Sequence, residues 1–175
     1  MTGRLILKRL AVAALADTGA VLVAFWVRRQ ELRICKLGDA LSDDELKIAR
    51  LAGVQFPERV RLLGVDEVPF PFDRVTKWLA AMIGHFPSRA LGLTARYGIY
   101  LQSESRWDVE LIVHELVHTS QYERANGILG FLRLYLRDCL LNGYADAKME
   151  REARDLSIGA LRRRDWKSIP CSKTV

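Results

Sequence analysis

The sequence predicts a helix-rich α+β domain with a small sheet placed ahead of the helix that carries its chemistry. Three observations predict it. Segments with helical apolar spacing outnumber β-rich ones: helices are expected after Ser42, from Trp107 to Arg124, from Phe131 to Leu141 and from Lys148 onward, whereas only Glu58–Val68 and Leu93–Leu101 read as strands. Chain length comes second, since 175 residues with 50% hydrophobic content fill one core and leave little for a second domain. Punctuation is the third, because Gly and Pro fall between these segments and no repeat, low-complexity tract or long linker divides the chain. The organisation expected is an apolar N-terminal helix over residues 1–33 followed by one domain over residues 34–175.

The N-terminal helix admits several readings. From Leu10 to Val27 it is almost entirely apolar and approaches the length of a bilayer span, with Arg4, Lys8 and Arg9 before it and Arg28 and Arg29 after. Asp17 and Gly19 interrupt it, and a carboxylate near the centre of an inserted helix costs roughly 2.5–3.5 kcal/mol, which opposes insertion of a marginal span. A membrane-surface or spanning anchor through residues 4–29, a helix packed into the domain, and a signal segment ending at Ala14-Leu15-Ala16 all stay open. Basic residues at both ends assign no orientation.

Ser42-Asp43-Asp44-Glu45 is a capping box that opens an amphipathic helix ending near Gly53. Glu58–Val68, bounded by Pro57, Pro69 and Pro71, is expected to form one long strand or a strand pair. Phe72 to Ile83 is expected to be a helix stopped by Gly84. Leu93–Leu101 is rich in β-formers with a central Gly, and Ser103-Glu104-Ser105 turns it into the next helix, where Ser105 and Asp108 stand at capping-box spacing. Asn126-Gly127 makes a turn, and Phe131 to Leu141 is an apolar helix expected to pack behind the site.

The helix from Trp107 to Arg124 has no Gly or Pro, and Val109, Ile112, Val113, Leu116 and Val117 give it an apolar stripe. On it lies His114-Glu115-Leu116-Val117-His118. Residues four apart stack on one helix face, so His114 and His118 can converge on one tetrahedral ion. Glu115 projects beside them and can take a proton from a zinc-bound water, whose pKa the metal lowers from about 15.7 to roughly 7. A catalytic zinc usually has three protein ligands. The chain has three histidines, and the third, His85, lies upstream in a loop-like stretch, so the remaining ligand is expected to be a downstream carboxylate. Candidates are Glu123, Asp138, Asp146, Glu150, Glu152, Asp155 and Asp165. Glu123 is a poor one, lying about 140° round the helix from His118.

At the segment Lys148-Met149-Glu150-Arg151-Glu152-Ala153-Arg154 the chain resembles the gluzincin metallopeptidases, distantly those of CAAX-prenyl-endopeptidase type. The resemblance runs from about Arg96 to Ala160. It implies a zincin-like domain holding Zn²⁺ through His114, His118 and Glu150, with Glu115 as catalytic base. Glu152 is the rival to Glu150. Arg154 stands where many such enzymes have Asp, which leaves the supporting contact to a ligand histidine to Asp155, Asp138 or a backbone carbonyl. The resemblance also implies that the strand preceding the motif helix forms a sheet edge that binds an extended peptide or protein substrate by backbone pairing; the residues of Leu93–Leu101 fit an ordinary hairpin strand with no ligand equally well. Tyr144, just before the downstream helix, is either an oxyanion donor or a half-buried loop residue.

The expectation is a zinc metallopeptidase, cytoplasmic or membrane-associated, with a catalytically inactive zinc-binding or protein-binding module as the alternative. Net charge is +6, with much of the basic excess near the two ends, yet no aromatic-plus-basic signature accompanies it and no nucleic-acid partner is expected. Cys35, Cys139 and Cys171 show neither disulfide-framework nor zinc-finger spacing, which points to a reducing compartment.

Overall fold

The computed structural model describes residues 2–69 and 90–162, with side chains described for 10–69 and 90–159. The expected helix over Phe72–Ile83, His85, Asp165, Lys167 and Cys171 lie outside the described residues. Within them the protein is a mixed α/β structure of five α-helices and a four-stranded sheet.

Helix α1 (Thr2–Leu37) runs without a break. It is followed by the short strand β1 (Asp39–Ala40), helix α2 (Asp43–Leu51) and strand β2 (Arg61–Val65). Both halves of the capping box form at α2: the Ser42 hydroxyl accepts from the Glu45 N–H, and the Glu45 carboxylate accepts from the Ser42 N–H at 2.7 Å. Glu58–Val68 yields the single strand β2, because Pro57–Arg59 takes up a 3₁₀ turn ahead of it.

Leu93–Leu101 is a tight hairpin: β3 (Gly92–Ala95) and β4 (Gly98–Gln102) pair antiparallel across Arg96 and Tyr97, with Arg96 at φ 59°. The central Gly98 therefore does not make the turn. A Cβ there would come within 2.8 Å of Ile34 Cβ, so this glycine lets α1 lie close on the sheet.

Strand order is β1-β2-β4-β3, with β2 and β4 parallel and the other pairs antiparallel. This corrects the expectation that the strand preceding the motif helix is the sheet edge. That strand, β4, lies inside the sheet, and among the described residues β3 forms the edge. Its alternating side chains reach two cores: Ile99 and Leu101 join a cluster with α2 and the motif helix, and Tyr100 joins one with α1 and the helix after the motif.

The motif helix α3 (Val109–Arg124) begins one turn later than the Ser105 capping box implies. Asp108 is its N-cap, accepting from Glu110 N at 2.9 Å and Leu111 N at 3.3 Å, while Ser103–Ser105 forms a 3₁₀ turn. Asn126 and Gly127, both at positive φ, turn the chain into α4 (Ile128–Asn142), and Gly143 at φ 83° ends it. Helix α5 (Lys148–Arg162) then crosses α3. The Asp138 carboxylate accepts from its first N–H, at Lys148.

The N-terminal helix is part of this core. Ala16, Ala20, Val27 and Ile34 line one of its faces and are buried against the sheet and α4.

Candidate metal centre

Helix α3 presents His114 and His118 one turn apart, and α5 brings Glu150 up to them. The two Nε2 atoms are 3.1 Å apart, His114 Nε2 is 3.4 Å from Glu150 Oε2, and His118 Nε2 is 3.5 Å from Glu150 Oε1. Donors about 2.0–2.1 Å from a tetrahedral ion stand roughly 3.3–3.4 Å from one another. The three side chains thus fit a divalent cation in chemistry and in spacing.

Glu150 is reached by a stripe of small residues. Ala147, Glu150, Ala153 and Ser157 recur at helical spacing and are all buried, so α5 lies close on α3 and carries the carboxylate inward. Glu150 is only 3% exposed. Burial alone would raise its pKa. The histidine pair and the Tyr135 hydroxyl, which donates to Oε1 at 2.6 Å, outweigh that and hold the carboxyl at about 2. Burial acts to lower the pKa of His114, but its contact with Glu150 and the Glu115 charge prevail and raise it. Tyr144, from the loop between α4 and α5, also interacts with Glu150, and burial followed by that negative charge pushes its hydroxyl pKa up.

Glu152 does not face the histidines. Its carboxylate is held by Arg124 Nη2 at 2.7 and 2.9 Å and accepts from Gln121 Nε2 at 3.0 Å. Gln121 in turn uses its Oε1 to contact His118 Nδ1 at 2.8 Å. With Gln121 Oε1 as acceptor, the Nδ1 of His118 carries the hydrogen and Nε2 keeps its lone pair toward Glu150 and His114, the tautomer a metal needs. None of the three supports expected from the sequence makes this contact. Asp138 caps α5, Asp155 is exposed, and the acceptor is a side-chain amide rather than a backbone carbonyl. The available signal was a polar Gln three residues past His118 on a helix otherwise buried at that level. Arg154 points away to donate to the Ala145 carbonyl at 3.0 Å.

Behind His118, Tyr122 stacks on Phe131 with centroids 3.8 Å apart, and Phe131 stacks on Tyr135 at 5.2 Å. This aromatic wall comes from α3 and α4 and excludes water from one side of the site. Glu123 lies elsewhere, accepting from the N–H groups of Gln55 and Phe56 and from the Tyr97 hydroxyl. It anchors the loop before β2.

Glu115 turns toward the sheet edge. Thr94 Oγ1 lies 2.6 Å from its Oε2, and Gly92 leaves space for the carboxylate: a Cβ there would come within 2.5 Å of Oε1. Burial raises its pKa, an effect that the two histidines and Thr94 reduce without reversing. Gly92 and Thr94 were not singled out from the sequence. Their role depends on β3 pairing beside α3, which local pattern does not reveal. No protein family model matches the chain, and neither known curated proteins nor solved structures match it.

Proposed function

We propose that the protein is a zinc-dependent hydrolase, a metallopeptidase of gluzincin type with a zincin-like domain. The observation that supports this reading is the convergence of His114, His118 and Glu150 at 3.1–3.5 Å, beside a buried Glu115 that forms no ion pair among the described residues. His114, His118 and Glu150 would hold Zn²⁺. When bound, zinc polarises a substrate carbonyl and makes water a better nucleophile near neutral pH.

Glu115 is the general base. Its raised pKa makes it a stronger proton acceptor than an exposed glutamate, and Thr94 fixes the carboxylate while it takes up the proton of the attacking water. Gln121 and Tyr135 position His118 and Glu150. An extended peptide pairs with the outer side of β3, the strand that holds Thr94, which brings the scissile carbonyl alongside Glu115. The protein is cytoplasmic or membrane-associated, and α1 is its one described helix long and apolar enough to cross a membrane.

Elemental mass spectrometry of protein purified without a histidine tag tests the reading, together with hydrolysis of a denatured protein substrate. One zinc per chain, lost in His118→Ala and Glu150→Gln, and turnover lost in Glu115→Gln with zinc retained, are expected. Full turnover by Glu115→Gln, or absence of metal after zinc reconstitution, refutes it.

A further inference from the structure

Helix α1 has two unlike faces, and the metal site uses neither. Its inner face is committed to the domain. Ile34 fills the notch left by Gly98, Gln30 accepts from the Tyr100 hydroxyl at 3.1 Å, and the buried Glu31 pairs with Arg28 and lies 3.9 Å from Arg96. Arg96 sits at the turn of the hairpin that carries Thr94. A helix spanning a bilayer through Leu10–Val27 would pull Ala16, Ala20 and Val27 out of the core and bring Asp17, which pairs with Arg133 at 3.2 Å, into hydrocarbon, where unpaired polar groups are strongly disfavoured.

The outer face is apolar and unpartnered among the described residues. Leu15, Val21, Leu22, Phe25 and Leu32 lie along it, with Leu22 65% and Phe25 72% exposed. Such a row is unusual on a surface that meets only water. Toward its C-terminal half the same face carries exposed Arg29, Arg33 and Lys36. Apolar groups in line with a basic cluster match the boundary of an anionic bilayer, where side chains enter the acyl layer and cations meet lipid phosphates.

We infer that α1 docks the protein on anionic lipid membranes, lying in the membrane plane with Leu22 and Phe25 inserted and Arg29, Arg33 and Lys36 on the headgroups. The sheet and the metal site then stay on the aqueous side. The contact does not depend on the site's chemistry and holds for the metal-free protein as well.

Sedimentation of the full-length chain with vesicles of phosphatidylcholine alone, or with about a third phosphatidylserine, tests this. Binding to the mixed vesicles is expected to exceed binding to the neutral ones at least tenfold, at roughly fivefold per basic residue near the surface, and to weaken in high salt. L22S/F25S should lose at least tenfold in binding to the mixed vesicles. R29E/R33E/K36E should erase the preference for phosphatidylserine. Both sets of positions are exposed, and unchanged zinc content and circular dichroism verify the fold of each variant. In membranes of expressing cells, alkaline carbonate should release the protein. Resistance to carbonate overturns the in-plane reading in favour of a span. Equal binding by L22S/F25S, or no vesicle binding with a dimer that F25S dissociates, overturns the lipid partner.

Discussion

Glu115 and Glu150 both act on His114, one from against β3 and one from α5, and the two ends of the site treat a carboxylate in different ways. At the α5 end, Glu150 is buried among groups that favour its charge: two imidazoles and the Tyr135 hydroxyl, which hold it at about 2. At the β3 end, Glu115 is buried against a strand whose main partner for it is one Thr94 hydroxyl, and desolvation prevails. Pairs of carboxyls pushed apart in this manner divide their labour. A carboxylate that stays ionised suits a cation, and one that binds a proton readily suits general-base chemistry.

The largest effects should come from removing each charge in turn. Glu150→Gln is expected to lose zinc and, with it, all measurable hydrolysis. Glu115→Gln should keep stoichiometric zinc while turnover falls at least about a thousandfold, in the range expected when a base and its positioning are lost together. Metal analysis beside turnover separates them, and equal metal loss in both variants would erase the distinction between the two ends.

Stability of the metal-free protein should divide the same pair with opposite signs. The lowered pKa of Glu150 contributes stability that is present above its ordinary 4.5 and lost as pH falls toward 2. The raised pKa of His114 contributes below its ordinary 6.5 and is lost as pH rises through the folded value. Both contributions coincide between about pH 4.5 and 6.5, so Glu150→Gln should cost most there, on the order of 3 kcal/mol. Glu115 has a raised pKa, so its ionisation opposes folding above 4.5. Glu115→Gln should therefore stabilise the metal-free protein at neutral pH and be indifferent at pH 3. Urea unfolding at pH 3, 5.5 and 8 reads both curves, and a destabilised Glu115→Gln at pH 8 would contradict the assignment.

Gly92→Ala sharpens the β3 end alone. The added methyl meets the Glu115 carboxylate at a distance no side chain tolerates, so the carboxylate must swing or the strand must shift. Turnover should fall about ten- to a hundredfold, with zinc content unchanged, since displacement of a catalytic group by an ångström has effects of that size. A variant with wild-type turnover would free Glu115 from dependence on the edge strand.

Legibility follows the same division. The α3 motif could be read because helical geometry fixes the relation of residues four apart, whereas only a family resemblance favours Glu150 over Glu152 in the sequence; the buried stripe it shares with Ala153 and Ser157 along α5 belongs to the structure. Its rival Glu152 is two residues on, about 200° round the helix, and belongs to a different neighbourhood. What the sequence hid was contact between elements: Thr94 and Gly92 against Glu115, and Tyr135 against Glu150. A hairpin is one reading of Leu93–Leu101, but the place of its turn is hidden for a local reason. Its turn uses Arg96 at positive φ, a conformation ordinarily signalled by Gly or Asn, while the glycine two residues later serves α1 packing.

The smallest effect concerns the chain that braces His118 from outside. Gln121→Ala removes the acceptor for Nδ1 and should weaken zinc binding about tenfold, as loss of such a supporting contact commonly does. Glu152→Gln acts one bond further away, on the group that orients Gln121 and is itself half exposed beside Arg124. Zinc should remain stoichiometric and affinity should change by no more than about threefold, because an exposed ion pair of this kind contributes little. Competition with a chromogenic chelator measures both. If Glu152→Gln instead lost its metal while Glu150→Gln kept it, the two glutamates would exchange roles, and the comparison between the α5 and β3 ends would have to be rebuilt around a rotated α5.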